Sequence, residues 1–515
     1  MNCNNNNMSD LSNTVNTTQE DDDDEDYYGD DDYNMMNLNN HYTDSTCDEN
    51  NNNNNDNDKD GLMKVGNNKS EMLPTTTKIT TTTTTTTSAY YYQYCRELFR
   101  RHGHTVLTVL LAIALGITTW HAKNSSSSSS SGTTTTTTTT SNGLFQSSIP
   151  WAPLPASDQV IETVAFGSCM KQNMPQPFWD TLVTAQPQVT VLMGDQVYPD
   201  GDCEDMDCTV LKEAYKVWSQ HPSFLGAKAV LPMVPILDDH DYGQNDCYES
   251  NPFKDVAKEL FFDFYDIPTT DERRAVPERK HEGLYTYYEW GPLGQRVQLI
   301  VLDTRYSRSE FLYSEEEWAY LPDHHDKSKR MLSKAQWQWL EEDVLQRPAN
   351  VRLVVSSVQV LTQGEWGFEH WYNIPHELAK LKHMLRKYCH NVDKNQRSLP
   401  LLLSGDRHIG AYYYDEENDL HEVTASSWTH TIIKGWDPDG VKCETDEECI
   451  EPDTIRVGDA IHENHFGLVQ IDWKERSLRA SLVRAETSHG YPVKQKWNED
   501  TDAGNPLWSL ELDIP

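Results

Sequence analysis

Residues 230–245 read VLPMVPILDDHDYGQN. The apolar run, interrupted only by Pro232 and Pro235, predicts a buried strand that stops at Asp238, Asp239, His240 and Asp241. Three carboxylates around one imidazole at the end of a buried strand repel one another and resist desolvation unless a cation stands among them. A bound metal is the simplest such cation, with His240 as a proton carrier or a further ligand.

Other apolar runs end in the same way. VAFGSC ends at Cys169, VTVLMGDQVY gives Asp195 and Tyr198, LIVLDTR gives Asp303 and Arg305, and LPLLLSGDRH gives Asp406 and His408. In open α/β sheets, ligands gather outside the carboxyl ends of strands, where loops converge. A single strand-end Asp is usually a turn former or a helix cap, but the coincidence of several points to one shared site. Thiolate, phenolate, carboxylate and imidazole around one ion suit ferric iron, whereas carboxylates alone suit calcium or magnesium. A pair of ions bridged by Asp195 acidifies a water, and the resulting hydroxide attacks phosphorus in line while both ions neutralise the developing charge. His240 then gives a proton to the departing alkoxide. Arg305 and Arg407 suit phosphate oxygens through their bidentate geometry, or they pair with a neighbouring Asp.

In chain order, FGSC, GDQVY, DDHDYGQND, LDTR and GDRH resemble the PhoD-like branch of the calcineurin-like metallophosphoesterase superfamily. The resemblance runs from about residue 160 to the NHFGLVQIDW stretch. It implies a four-layer α/β/β/α sandwich with the site at its edge. Cys169 stands as an iron ligand where the general superfamily has Asp-x-His, and Tyr198 resembles the ferric-iron tyrosine of purple acid phosphatases. Asp195 takes the bridging position, Asp239 that of the Asn in Gly-Asn-His, and His240 that of its proton donor. Asp406 and His408 take the positions of the two His in Gly-His-x-His. Asp238 and Asp241 are left to orient His240. One departure stands out: where the superfamily has another His after a strand, VVSSVQV offers Ser356, Ser357 and Gln359.

Apolar runs at 162–167, 189–193, 230–237, 297–302, 352–356, 399–403, 420–425, 467–473 and 477–483 predict strands. Helical patterns at 212–219, 255–265, 333–345 and 376–388 lie between them. The fold class is α/β, a mixed sheet pair with helices outside, in a catalytic body over 149–515. Weaker candidates surround the main set. Residues 323–326 (DHHD) suit an exposed loop or a metal site, His430 a structural role or a reach into the site from a neighbouring loop, Asn464 and His465 a cap, and Asn245 and Asp246 either the cluster or the turn after Gly243.

Ahead of the body, 1–101 is an Asn-, Asp- and Thr-rich tail with too little apolar surface to order. Residues 102–122 hold TVLTVLLAIALGITTW, near the short end of the roughly 17–25 residues a spanning helix needs. Arg96, Arg100 and Arg101 before it, against Lys123 after it, predict a single-pass type II anchor with a cytosolic N-terminus. Residues 123–148 are a Ser/Thr-rich stalk carrying the sequon Asn124-Ser125-Ser126, which suits a glycoprotein. With Lys plus Arg at 43 against Asp plus Glu at 81, the net charge of -38 disfavours nucleic-acid binding. Cys169, Cys203, Cys208, Cys247, Cys389, Cys443 and Cys449 lie in the body; with one set aside for chemistry, six remain, enough for up to three disulfides. Cys203 and Cys208, like Cys443 and Cys449, bracket short acidic loops that a local bridge would close, which suits an oxidising compartment.

The expectation is a membrane-anchored metallophosphoesterase of the alkaline phosphatase or phosphodiesterase type, with its body lumenal or extracellular. Its ions are Fe(3+) and Ca(2+), with Zn(2+) or Mg(2+) as alternatives, and its partners are a phosphate-ester substrate and the membrane. Two other readings share these features. One is a non-catalytic stalked ectodomain that kept the fold; the other is a phosphodiesterase directed at a lipid or GPI-type ester.

Overall fold

The computed structural model describes residue 145 and residues 147–364, 367–390, 392–393, 396–432, 451–485 and 503–515. The expected tail and membrane segment, nearly all of the stalk, and Cys443 and Cys449 lie outside the described residues. Among the described residues, no helix is long and apolar enough to cross a membrane.

Three short, nearly continuous apolar runs, β1 (Thr163–Gly167), β2 (Val189–Met193) and β3 (Met233–Ile236), lie parallel and side by side. Strands covered on both faces need this kind of sequence. β3 ends its sheet, so the missing N–H of Pro235 breaks no second ladder. The strand begins only after Pro232 and is shorter than the run predicted over 230–237.

The second sheet draws on β4 (Thr286–Trp290) and β5 (Val297–Val301). A separate hairpin, β6 (Leu312–Ser314) with β7 (Ala319–Leu321), interrupts the chain before it continues. β8 (Val351–Val355), β9 (Leu399–Ser404), β10 (Gly410–Asp415) and β11 (Leu420–Ala425) complete that sheet in the order β10-β11-β9-β8-β5-β4. Its inner four strands are parallel, and both edges are antiparallel. The chain then returns through β12 (His465–Asp472), β13 (Ser477–Arg484) and β14 (Pro506–Asp513), which extend the first sheet as β14-β13-β12-β1-β2-β3. The result is an α/β fold with two large mixed sheets.

The period-two alternation of side chains decides what each face packs against. Leu299, Val301, Leu353, Val355, Leu401 and Leu403 share one apolar cluster with Val164, Phe166, Val191 and Leu482 of the first sheet. Their neighbours Ile300, Val354 and Leu402 belong to a second cluster, with Trp337, Leu340, Leu381 and Leu385 from the helical segments at Lys334–Gln338, Trp339–Val344 and Pro375–Leu385. Trp218 stacks on Phe224 at 4.2 Å and on Phe264 at 4.8 Å, joining the helices Thr209–Ser219, Pro222–Lys228 and Lys254–Phe264.

Cys203 and Cys208 are joined as a disulfide, as their spacing predicts. The expected larger set of bridges needs correction: Cys247 and Cys389 are free thiols buried in the two apolar clusters. The bridge braces the site, because the Cys203 amide donates to the Gly243 carbonyl at 2.9 Å, in the turn after His240.

The parallel strands of the two sheets finish close together, and glycine permits that approach. A Cβ on Gly405, just after β9, would collide with the Ser168 side chain after β1 and stand 3.2 Å from the Ser357 carbonyl after β8. Gly405→Ala should therefore lower stability by about 1–3 kcal/mol through overpacking. Denaturant unfolding of the purified protein checks this, and an unchanged midpoint would mean that the three strand ends have slack.

Candidate metal centre

Each parallel strand delivers its polar residue immediately after its last buried apolar one. Cys169 follows β1, Asp195 follows β2, Asp238 to His240 follow β3, and Asp406 and His408 follow β9. Four of these bend the backbone into the left-handed region, with φ of 61° at Cys169, 54° at Asp195, 73° at Asp406 and 51° at His408. Such conformations cost about 1–3 kcal/mol each and persist where the surroundings over-determine them, characteristically at functional sites. The effect is to turn four side chains back toward a common point.

Around that point the contacts are short. Tyr198 donates its hydroxyl to Asp195 Oδ2 at 3.1 Å, and the Tyr198 hydroxyl oxygen also lies 3.1 Å from His408 Nε2. Cys169 Sγ lies 3.7 Å from Asp195 Oδ2 and 3.0 Å from Ser426 Oγ. One ligand atom from each of Cys169, Asp195 and His408 falls within 4.8 Å of the others, and so does one from each of Asp195, Asp238, Asp239 and Asp406. Asp195 belongs to both groups, which is the placement a bridging ligand needs. Its Oδ1 is buried without a hydrogen-bond partner, as is Asp238 Oδ2. Two orphaned acceptor atoms in one acidic cluster are what a cation would satisfy, and a soft-to-hard donor set beside an all-carboxylate one fits two unlike ions.

The electrostatics of the side chains alone point the same way. Burial pushes the Cys169 thiol up to about 12, too high to ionise at neutral pH. Burial, reinforced by Asp239, holds the Asp195 carboxyl well above the carboxylate range, and burial with Asp238 and Asp239 does the same to Asp406. Burial and the neighbouring His240 take His408 down to about 3. Asp239 goes the other way: burial opposes ionisation, but Arg305 and His240 hold its carboxyl below the usual range. A multivalent ion inverts this pattern by stabilising thiolate and carboxylates together.

Arg305 needs correction. The expected phosphate contact is not what its surroundings allow, because it is 0% exposed and its guanidinium is forked between Asp238 and Glu369. Its Nη2 lies 3.7 Å from Asp406 and 3.9 Å from Asp239. It is thus a positioning residue at the floor of the cluster. Arg407 is likewise buried, paired with Glu451 at 2.9 Å and lying over the Phe368 ring. Asp303 is a turn former, accepting from the amides of Leu284, Arg305 and Tyr306. The 323–326 stretch is also a turn, built on the Asp323 carboxylate.

Asp238 and Asp241 do not orient His240. Asp238 accepts from Arg305 and from Ser357 Oγ, the latter at 2.7 Å. Asp241 accepts from the amides of Gln196 at 3.1 Å, Val197 at 3.3 Å and Asp238 at 3.2 Å, tying the loop after β2 to the loop after β3. Asp239 accepts from the His240 amide at 2.8 Å, and the His240 ring lies against Tyr198, centroids 4.1 Å apart.

Several residues of the site escape the strand-end reading. Glu369 clamps Arg305 and Arg308 from a distant loop. His430 stands 4.3 Å from His408, ring to ring, with Nε2 buried and unpartnered. Its position after strand β11 is the one signal of it in the sequence. Ser357, where the superfamily has a His, reaches the site by hydrogen-bonding Asp238.

The sequence pattern of the PhoD-like phosphatase family matches residues 164–482, more than half of the chain. Among solved structures, one of PhoD aligns with a TM-score of 0.53 at 15% identity, covering 70% of this chain and 71% of that one. GAP50, the anchor in the inner membrane complex of Plasmodium, aligns at 0.40 with 12% identity over 69% of this chain and 90% of its own. TT1561 of Thermus thermophilus aligns at 0.28 with 11% identity over 62% and 99%. No curated protein sequence matches the chain. The likeness to PhoD, at that identity, bears on the fold. The chain belongs to the PhoD-like phosphatase family.

Proposed function

We propose that the chain hydrolyses phosphate esters in a metal-dependent reaction, in the manner of an alkaline phosphatase or phosphodiesterase, on a four-layer α/β/β/α sandwich. The observation that carries the reading is the convergence on Asp195 of two ligand groups, Cys169, Tyr198 and His408 in one and Asp238, Asp239 and Asp406 in the other. The first set suits ferric iron and the second calcium, with zinc or magnesium as other occupants. When bound, such ions supply charge neutralisation at the phosphoryl oxygens and an acidified water.

The protein's own groups do the rest. Asp195, which belongs to both ligand groups, would serve as a ligand to both ions. Asp239, held ionised by Arg305, offers its carboxylate without protonation. His240 stands partly buried beside Tyr198 and transfers a proton to the leaving alkoxide. Arg305 neutralises the acidic strand ends from beneath and leaves the open face to substrate.

We further propose that the body works outside the cytosol, behind the anchor expected at 102–122. The Cys203–Cys208 disulfide and the Arg excess before that segment support this reading.

The hydrolase reading is tested by assaying p-nitrophenyl phosphate and bis-p-nitrophenyl phosphate alongside metal analysis. Asp195→Ala should lose both bound metal and turnover; a variant that keeps its rate would sink the reading. His240→Ala should keep its metal content and lose roughly 10²–10⁴ in kcat, most severely for poor leaving groups. Equal losses for good and poor leaving groups would instead make His240 a ligand. For topology, protease added to sealed microsomes should remove the 1–101 tail and spare the body, and digestion of the body would reverse the orientation.

A further inference from the structure

Strand β11 ends as its neighbours do, in a polar residue straight after the apolar run. Leu420–Ala425 stops at Ser426, which is 0% exposed. β11 runs parallel to β9, with Thr424 level with Ser404, so the ends of these two strands lie side by side. The Ser168 amide donates to the Ala425 carbonyl at 3.1 Å, which brings the end of β1 to the same place. Ser426 therefore stands between Cys169, after β1, and the turn after β9 that leads to His408.

Its hydroxyl touches both. The His408 amide donates to Ser426 Oγ at 2.9 Å, and Ser426 Oγ lies 3.0 Å from Cys169 Sγ. The chemistry of the neighbours gives the second contact its direction. The oxygen already receives one hydrogen from the amide, and the hydroxyl has a hydrogen of its own to place. A hydrogen on the Cys169 sulfur has the Asp195 carboxylate to go to, 3.7 Å away. The sulfur lone pairs are then left to accept from Ser426. Ser168 Oγ is the more distant hydroxyl, at 3.4 Å from Cys169 Sγ. Cys169 and His408 also hold left-handed backbone conformations, with φ of 61° and 51°. Such residues keep their geometry only where the surroundings fix them, and one buried hydroxyl fastens the pair.

We propose that Ser426 is a positioning residue of the metal centre: it donates its hydroxyl to Cys169 Sγ, accepts from the His408 amide, and so sets the two ligands against each other and tempers the sulfur's donation to an ion. The inference rests on the metal-dependent reading above. Hydrogen bonds around a ligating sulfur tune the ion it holds. A sulfur that shares a lone pair with a hydroxyl gives less electron density to its ion, which is then the stronger Lewis acid toward water and phosphoryl oxygens.

The experiment compares the full-length protein with Ser426→Ala and Ser426→Thr, reading iron affinity by chelator competition, the visible spectrum and the reduction potential. Cys169→Ala identifies the thiolate charge-transfer band by abolishing it. Ser426→Ala should weaken iron binding by roughly 10- to 100-fold, the span typical of a lost partner to a ligand. It should also move the thiolate band to longer wavelength and make the potential more negative, and Ser426→Thr, which keeps the hydroxyl, should restore both. A band and potential that stay in place in Ser426→Ala would overturn the assignment, because a serine that only fills space moves neither. If the Ala variant does not fold, Ser426→Thr and Ser426→Val, alike in shape and different in the hydroxyl, make the same comparison. If the protein binds no iron, Co(2+) added after chelator treatment supplies the thiolate band instead. A wild-type protein with no thiolate band under either ion overturns the metal reading itself, whereas a wild-type band that Ser426→Ala leaves unmoved rejects Ser426 alone.

Discussion

A guanidinium with no access to solvent lies under the acidic strand ends, and the arrangement of the site depends on it. Arg305 pairs with Asp238 and Glu369 and lies within 4 Å of Asp239 and Asp406. Those carboxylates come from three separate parts of the chain, and without a cation beneath them their mutual repulsion would force the strand ends apart. Stripping one partner from a buried ion pair typically costs about 3–5 kcal/mol, whereas replacing a whole pair with apolar groups is often neutral. The pair is therefore better understood as fixing geometry than as adding stability. Arg308, sharing Glu369 and reaching the carbonyls of Asp246 and Cys247, locks the loop after His240 into the same network. Arginine suits this place because its planar fork meets two carboxylates at once, which a lysine point charge would not.

From that floor upward, the site is a compromise between strain and electrostatics. Four residues with positive φ, a thiol held protonated by burial, and carboxyl groups pushed out of their ordinary range are all unfavourable in the protein alone. Two core features make the compromise tolerable. The strands that deliver these residues are nearly fully buried and anchored by the shared apolar cluster, so the ends have little freedom to relax. The glycines that precede Asp195 and Asp406 have no side chain to keep neighbouring strand ends apart; a Cβ on Gly194 would collide with that of Asp238. A bound cation would offset the same unfavourable terms at once, which is why metal binding and local folding should be strongly coupled here.

How much of this is legible in the sequence depends on the locality of the signal. Inner strands are plain to see, because a strand covered on both faces must be apolar throughout, and β2 and β11 fall where their apolar runs end. The edges are not: β4 is half-exposed and Tyr-rich, β14 alternates with exposed residues, and β10 reads as a Tyr run after a turn. The same contrast governs the site. Cys169, Asp195, Asp239, Asp406 and His408 sit at the ends of legible strands, so their convergence follows from topology. Arg305 has the same signal, yet its partner Glu369 lies 64 residues away in a loop with no periodicity, and the partner decides the role. Cys247 shows the limit for cysteine counting, since a thiol packed in the core and a half-cystine look alike in sequence.

The stretch at 230–245 shows what the surroundings add to a motif. By spacing alone, Asp238 and Asp241 flank His240 and should orient its ring. In the fold, their carboxylates point elsewhere, one into the Arg305 fork and the other onto three backbone amides. Each of these two acids is thus used to hold a loop, and the imidazole lies against the Tyr198 ring, with a ring nitrogen within 4.8 Å of carboxylate oxygens of Asp195 and Asp239. That division has a consequence for proton transfer. An imidazole gripped by a carboxylate through its second nitrogen is pushed toward the charged form, whereas one packed against an aromatic ring and partly withdrawn from water is pushed toward the neutral form. His240 has the second environment: burial lowers its pKa, and the attraction of Asp239 and Asp238 only partly opposes this. A lowered pKa leaves less of the imidazole protonated near neutral pH, so the opposing attraction of Asp239 and Asp238 is what keeps a proton on His240 for a departing alkoxide. The acids the motif places beside the histidine therefore serve it through their charge and not by gripping its ring.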